Sequence, residues 1–262
     1  MDPVKIELDV FAGQAASREI TITNQNPFAV TISPEVMNFK VSENSEIHWY
    51  IGAISDPLRS SAWLEVDEKS FVLKSGEAKR VGVSVAIPAD TQPGGRYATV
   101  FFNSKPVDAQ NKNADVRAGT MVIINVPGAI SKAGNIVGFN SPLFVIGGPL
   151  DFIVKFANTG KTHYNTKATL KISNLFWNVA NISSDQKFLY PDVIREIPIK
   201  WNTASLFGIY TAQLSVTDGQ GVVHTAEKHF VGVSIKYLAL LIALGFIAWF
   251  GRKKLLARKS SA

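Results

Sequence analysis

The sequence contains no cysteine among its 262 residues. This absence excludes disulfide bonds, thiolate metal sites and a cysteine nucleophile. The chain is long enough for roughly two domains with substantial hydrophobic cores. Its ordinary apolar content argues against general disorder. The sequence is therefore that of a folded protein held together without covalent crosslinks.

The folded part of the chain also lacks an excess of basic residues. The net charge is +6, but most of this excess comes from a cluster near the C-terminus. The cluster consists of Arg252, Lys253, Lys254, Arg258 and Lys259. A nucleic-acid binder is expected to carry its basic residues on the folded domain. We therefore predict no nucleic-acid partner.

Complete motifs for nucleotides, metals and catalysis are missing as well. Gly160, Lys161 and Thr162 match the end of a phosphate-binding loop. The position five residues before Gly160 is Lys155, however, where that loop needs a glycine, and the residues after Thr162 alternate like a strand rather than a helix. The four histidines lack the spacing of a shared metal site. We predict no enzymatic activity, catalytic residue, cofactor, metal or bound nucleotide.

Short runs of alternating apolar residues dominate the first 233 positions. Val81, Val83 and Val85 alternate with polar or small residues, and a similar alternation follows Tyr210. Side chains of a strand point to opposite faces with a period of two, so each run has one wet and one dry face. Glycine and proline turns separate the runs. The pattern predicts an all-β fold with two tandem immunoglobulin-like β-sandwiches, at residues 1–137 and 138–233.

One long apolar run lies near the end of the chain. Residues 237–250 read YLALLIALGFIAWF and contain no charge. Aromatic residues near both ends and the basic tail that follows fit the interfacial belts and the positive-inside rule of membrane spans. The prediction is a transmembrane helix at residues 234–251 and a basic cytoplasmic tail at 252–262. The predicted flanking residues are Lys236, Tyr237, Trp249, Arg252, Lys253 and Lys254.

This topology places both predicted sandwiches outside the membrane, in an extracellular or periplasmic location. Such a location requires an export signal, whereas the first residues, MDPVKIELDV, already follow a strand pattern. We therefore expect a signal peptide to have been removed from the mature chain.

Three blocks of the sequence, in this order, resemble one family of surface proteins. The first block contains REITITNQN, FVLKSGEAKRVGVSVAIP and GGRYATVFF, and the second contains FANTGKTH, LYPDVIREIPIKW and FGIYTAQLSV. The third is the apolar run with its basic tail. Together they resemble the WxL-interacting surface proteins, which have a DUF916-type peptidoglycan-binding domain, a second immunoglobulin-like domain and a C-terminal membrane span.

The resemblance implies a membrane-anchored, non-catalytic cell-surface protein that binds peptidoglycan or secreted and surface proteins. The alternative is a structural or assembly subunit of a larger envelope complex, with protein contacts through sandwich edges. Seven residues match the family pattern of the second domain, and we expect them to have structural roles, with contact to a ligand as the alternative. They are Asn158, Gly160, His163, Pro191, Arg195, Gly208 and Tyr210.

Overall fold

The computed structural model describes residues 1–42, 45–51, 59–108, 115–203 and 206–259. It divides into two compact units. The first unit contains Met1–Lys132, Asn158–Tyr164 and Tyr190–Val193. The second contains Ala133–Ala157, Asn165–Leu189 and Ile194–Ala262. The first unit is thus built from three separate segments of the chain.

The strands of the first unit belong to two sheets. In the described part of residues 1–132 they are β1 (Lys5–Asp9), β2 (Ala15–Thr23), β3 (Val30–Val41), β4 (Ile47–Tyr50), β5 (Leu64–Val66), β6 (Phe71–Leu73), β7 (Ala78–Ala86), β8 (Gly94–Pro106) and β9 (Val116–Val126). One sheet has the order β1-β9-β8-β3-β4, with β6 also paired to β3, and the other has the order β2-β7-β5. β1 runs parallel to β9, whereas β8 is antiparallel to both β9 and β3.

One hydrophobic core holds the two sheets of the first unit together. Val81, Val83 and Val85 of β7 are buried, as are Val122 and Ile124 of β9. All five belong to the same cluster of core side chains, although β7 and β9 lie in different sheets. Because each strand turns every second side chain inward, both sheets bury one face against the other. The first unit is therefore a β-sandwich.

The remainder of the chain forms ten further strands in the described residues and one helix. They are β10 (Gly134–Asn140), β11 (Phe144–Ile146), β12 (Leu150–Asn158), β13 (Tyr164–Thr166), β14 (Ala168–Asn174), β15 (Asn178–Ser183), β16 (Lys187–Leu189), β17 (Ile194–Trp201), β18 (Phe207–Thr217), β19 (Val223–Val233) and α1 (Ile235–Lys259). The sheet orders are β10-β12-β17 and β11-β19-β18-β14-β15, with a small β13-β16 pair.

Aromatic side chains fill the core of the second unit. Phe152 on β12 and Phe230 on β19 come from different sheets, and their ring centroids are 5.9 Å apart. Trp201 on β17 also reaches Phe230, with a centroid distance of 6.4 Å. Phe152 and Phe230 are almost completely buried. These contacts join the two larger sheets into a second β-sandwich.

The two sandwiches are all-β, as predicted. The prediction of a transmembrane helix at residues 234–251, however, is wrong. Among the residues that the structure describes, no helix is both long enough and apolar enough to cross a membrane. The uncharged stretch of α1, residues 237–250, extends about 21 Å as a helix, whereas a bilayer has a hydrocarbon core of about 30 Å. Cationic residues begin at Arg252 within the same helix. The predicted flanks Lys236, Tyr237, Trp249, Arg252, Lys253 and Lys254 all lie on α1.

Candidate functional site

The turn that follows β12 is organised by the side chain of Asn158. This residue is buried, and its Nδ2 donates a hydrogen bond to the carbonyl of Thr162 at 3.0 Å. Its Oδ1 accepts one from the backbone N–H of Gly160 at 2.9 Å. The amide thus replaces backbone partners inside a tight turn, as asparagine often does. Lys161 in this turn is exposed.

Glycine is required at position 160 because the backbone of Ser131 and Lys132 passes very close to it. A Cβ atom at this position would lie 2.5 Å from the carbonyl oxygen of Ser131 and 2.9 Å from the Cα of Lys132. The same carbonyl accepts a hydrogen bond of 2.9 Å from the N–H of Lys161, so it is not free to move away. Only glycine fits here without a shift of the backbone.

His163 belongs to a cluster of aromatic rings in the first unit, which we call the tyrosine cluster and which consists of Phe39, Tyr97, His163 and Tyr190. The Nδ1 atom of His163 lies 3.1 Å from the Oη atom of Tyr97. The ring of Tyr97 lies 5.1 Å from that of Tyr190 and 5.7 Å from that of Phe39. Pro191 lines a cavity of about 330 Å³ beside these rings.

Burial keeps both members of the Tyr97–His163 hydrogen bond uncharged near neutral pH. Desolvation lowers the pKa of His163 to about 4, although Glu7 and Asp9 act in the opposite direction. Desolvation, with a contribution from Tyr190, raises the pKa of Tyr97 well above its ordinary value. A neutral imidazole and a neutral phenol can share one hydrogen bond, which fixes the two rings relative to each other.

The other three predicted residues lie in the second unit. Arg195 lies on β17 opposite Phe156 of β12. The Oη atom of Tyr210 accepts a hydrogen bond of 3.1 Å from the N–H of Phe207. Its ring is 5.3 Å from the ring of Phe230 in the core. Gly208 has a φ angle of +113°, which favours glycine, and it lies between Phe207 and Tyr210 at the start of β18. Gly208 and Tyr210 thus shape one end of the five-stranded sheet, whereas Arg195 lies in the three-stranded sheet.

The outer face of the five-stranded sheet is apolar at this end. Phe144, Val231 and Ile209 lie side by side across β11, β19 and β18. In the next row, Ile146 and Phe207 both pair with Val233. Phe207 is 63% exposed and Ile209 is 66% exposed. We define the apolar end as Phe144, Ile146, Leu175, Phe176, Trp177, Phe207, Ile209 and Val231.

The outer face changes from apolar to polar within one step along the strands. Residues two positions apart on a strand share a face, so Thr211 and Gln213 follow Ile209 on the outer side of β18. The Oγ1 atom of Thr211 lies 3.0 Å from Nδ1 of His229, and Gln213 donates to Glu227 at 3.2 Å. The middle of this face therefore carries hydrogen-bonding groups, which border the apolar end.

Three apolar residues in the turn between β14 and β15 extend the apolar end. Leu175 is 85% exposed, Phe176 is 76% exposed and Trp177 is 66% exposed. The backbone N–H groups of Phe176 and Trp177 each donate to Oδ1 of Asn174 at 3.0 Å. The N–H of Asn174 donates in turn to the carbonyl of Trp177, also at 3.0 Å. These bonds fix the backbone of the turn from which the three apolar side chains project.

A groove of about 740 Å³ lies between this turn and the start of β18. Its lining residues are Asn174, Leu175, Phe176, Trp177, Phe207, Gly208, Ile209 and Thr211. Tyr237 of α1 contacts Phe207 at one side, with ring centroids 5.2 Å apart. Most of the other apolar side chains of this region are left open to solvent. A fixed, aromatic-rich concave surface of this kind is suited to binding rather than to chemistry.

No family model and no curated protein matches this chain. Several solved structures are similar to it. The Class 5 fimbriae chaperone CfaA has a TM-score of 0.45 and 13% identity, with 88% of this chain and 97% of that chain covered. The E. coli chaperone DraB has a TM-score of 0.40 and 15% identity, with 87% and 94% covered. A chaperone–tip adhesin complex of CFA/I fimbriae has a TM-score of 0.46 and 12% identity, with 88% and 97% covered. Likenesses this distant carry no argument about the function of this chain.

The structure corrects the expected function. A membrane-anchored cell-surface binder, with the membrane as a partner and an extracellular N-terminal part, is wrong because no described helix can span a bilayer. Peptidoglycan binding has no support, since no family model and no curated protein matches. The resemblance to WxL-interacting proteins stays a prediction, since no family model matches. Among the described residues, no group of three His, Asp or Glu side chains could hold a metal ion.

Sequence reasoning missed the apolar end, although a signal for it was present. In β18, Tyr210 and Ala212 face the core, so Phe207 and Ile209 occupy outward positions of the same strand. Large apolar residues thus occupy both odd-numbered and even-numbered positions of this strand, and a turn elsewhere in the same unit reads Leu-Phe-Trp. This pattern indicates an exposed patch rather than a second core face.

Proposed function

We propose that this chain is a non-catalytic protein-binding module and that the apolar end of the second unit is its binding surface. The observation that carries the proposal is the clustering of large, exposed apolar side chains at one end of a sheet face whose middle is polar. An isolated exposed apolar residue needs no explanation, but a contiguous patch does. Apolar surface in contact with water is unfavourable in free energy, and a partner that covers this patch would remove that contact.

The composition of the apolar end supports a protein partner. Binding hot spots are enriched in aromatic residues that fill pockets at the centre of an interface. The apolar end supplies Phe176, Trp177 and Phe207 around one groove. The groove is formed by strand residues and by a hydrogen-bonded turn, so little conformational entropy is lost when it is covered. The described residues that line it include no charged side chain, which does not suit a small ionic ligand.

Site-specific photocrosslinking tests this proposal. A photoreactive phenylalanine analogue placed at Phe176 is expected to give a discrete protein adduct in the native host. The matched control places the same analogue at Thr225, which is exposed on the polar part of the same sheet face. Mass spectrometry identifies the crosslinked protein. Equal labelling at both positions, or no adduct at Phe176, would show that the apolar end is not a binding surface.

A further inference from the structure

We infer that the partner bound at the apolar end is a second copy of this chain, in a two-fold arrangement. This inference rests on the proposed function, because it names the partner for the same surface. In a two-fold interface the same patch is used twice, so the patch must be complementary to itself. Three features of the apolar end meet this condition.

The first feature is that a protruding element and a groove lie next to each other. Leu175, Phe176 and Trp177 protrude from the turn between β14 and β15, and they also form one wall of the groove. The opposite wall is formed by Phe207 and Ile209 of β18. A two-fold axis close to this groove would bring the protruding turn of each copy into the groove of the other. Each copy then contributes one turn and one groove, so both turns are buried and both grooves are filled.

The second feature is the absence of charge on the surface. The chain has a net charge of +6, yet no Lys, Arg, Asp or Glu is among the described residues that line the groove. In a two-fold interface any net charge on the patch would face the same charge on the partner near the axis, and like charges repel. An uncharged patch avoids this repulsion. A partner recognised through charge complementarity would require charged groups that this surface does not have.

The third feature is the size of the surface. An aromatic side chain can bury about 150–250 Å². The four aromatic residues of the apolar end, Phe144, Phe176, Trp177 and Phe207, are each more than half exposed, so together they offer on the order of 500 Å². The aliphatic neighbours bring the total toward the roughly 800 Å² per partner of a standard stable interface. The apolar end is thus large enough for a dimer.

Sedimentation equilibrium of the purified full chain tests this inference. The chain mass is 28.5 kDa, and we expect the weight-average mass to rise to twice this value across the micromolar range. Trp177→Ser and Ile209→Thr should each raise the dissociation constant of the dimer by about tenfold or more, since both side chains line the groove and are mostly exposed. Circular dichroism should show that both variants remain folded, because the substituted side chains are mostly exposed.

Two control substitutions separate this interface from other exposed apolar side chains. Phe11→Ser removes an exposed aromatic ring from the first unit, and Phe246→Ser removes one from α1. We expect both variants to dimerise like the unaltered chain. A monomer at all concentrations overturns the inference, and so does association that depends on Phe246 but not on Trp177.

The same measurements distinguish failure of the inference from failure of the proposed function. A monomeric chain that still gives a discrete adduct with a different protein at Phe176 leaves the binding module in place and overturns only the second copy as its partner. A monomeric chain without any adduct at Phe176 overturns both. An adduct at Phe176 that is itself a dimer of this chain supports both.

Discussion

Acidification should destabilise the first unit through His163. Burial lowers the pKa of this histidine to about 4 in the folded chain, whereas an unfolded chain has a histidine pKa of about 6.5. The folded state therefore favours the neutral ring. Between these two values the unfolded chain binds a proton that the folded chain does not bind. The stabilising contribution is fully present above pH 6.5 and is lost as the pH falls toward 4.

The size of this effect follows from the difference between the two pKa values. One pKa unit corresponds to 1.36 kcal/mol, so a difference of about 2.5 units sets an upper limit of about 3 kcal/mol. Local opening around Tyr97 that lets water reach the ring would reduce this value. An effect of about 2 kcal/mol would already be a large part of the stability of a single domain.

Chemical denaturation at a series of pH values between 7.5 and 4.5 measures this effect, together with nuclear magnetic resonance titration of the His163 ring. The matched variant is His163→Asn, which keeps a polar partner near Tyr97 but does not titrate. The free energy of unfolding of this variant should depend less steeply on pH, by up to about 1.4 kcal/mol per pH unit at the steepest point. A ring that titrates near 6.5 in the folded chain, or equal slopes for both proteins, would refute the reasoning.

Two further substitutions test the turn and the end of β18. Gly160→Ala should lower the free energy of unfolding by about 2 kcal/mol or more, because its Cβ would lie 2.5 Å from the carbonyl oxygen of Ser131. Gly245→Ala on α1 is the matched control, because a Cβ there meets nothing within 4 Å, and no loss is expected in the same thermal or denaturant melt. Tyr210→Phe should cost about 1 kcal/mol in that melt, since the N–H of Phe207 loses its acceptor. A Tyr210→Phe chain as stable as the original would show that water replaces the hydroxyl without loss.

The strands could be predicted from the sequence because each is encoded locally. Val81, Val83 and Val85 alternate with polar or small residues, and the structure buries all three on one face of β7. The pairing of strands was not encoded in this way. β1 lies beside β9, and no local pattern shows which of many similar apolar strands will be its neighbour.

The C-terminal helix shows where composition alone misleads. The run at residues 237–250 is apolar and is flanked by aromatic and basic residues, as a membrane span would be. Its uncharged length is nevertheless short for a bilayer, and the helix continues into its basic residues. The flanking pattern predicts a membrane span, but the length of the uncharged stretch does not, and here the length agrees with the structure.

The tyrosine cluster could not be predicted because it depends on contacts between distant parts of the chain. Tyr97 and His163 are separated by 66 positions, and Tyr190 comes from a third segment. The sequence marks Asn158 and Gly160 as turn residues, and the structure places both in a tight turn. The sequence contains no local sign that this turn belongs to the first unit rather than to the unit that holds its neighbours in the chain.

The three-segment composition of the first unit has a consequence for biosynthesis. Asn125 donates a hydrogen bond to Asp9 across 116 positions, so β1 must wait for β9 before it can pair. Asn158–Tyr164 and Tyr190–Val193 are translated later still, and both are part of the same unit. At ordinary elongation rates of about 5–20 residues per second, the N-terminal sandwich therefore remains incomplete for several seconds after its last core strand has left the ribosome. During this interval Tyr97 lacks both His163 and Tyr190, its later-translated partners in the tyrosine cluster.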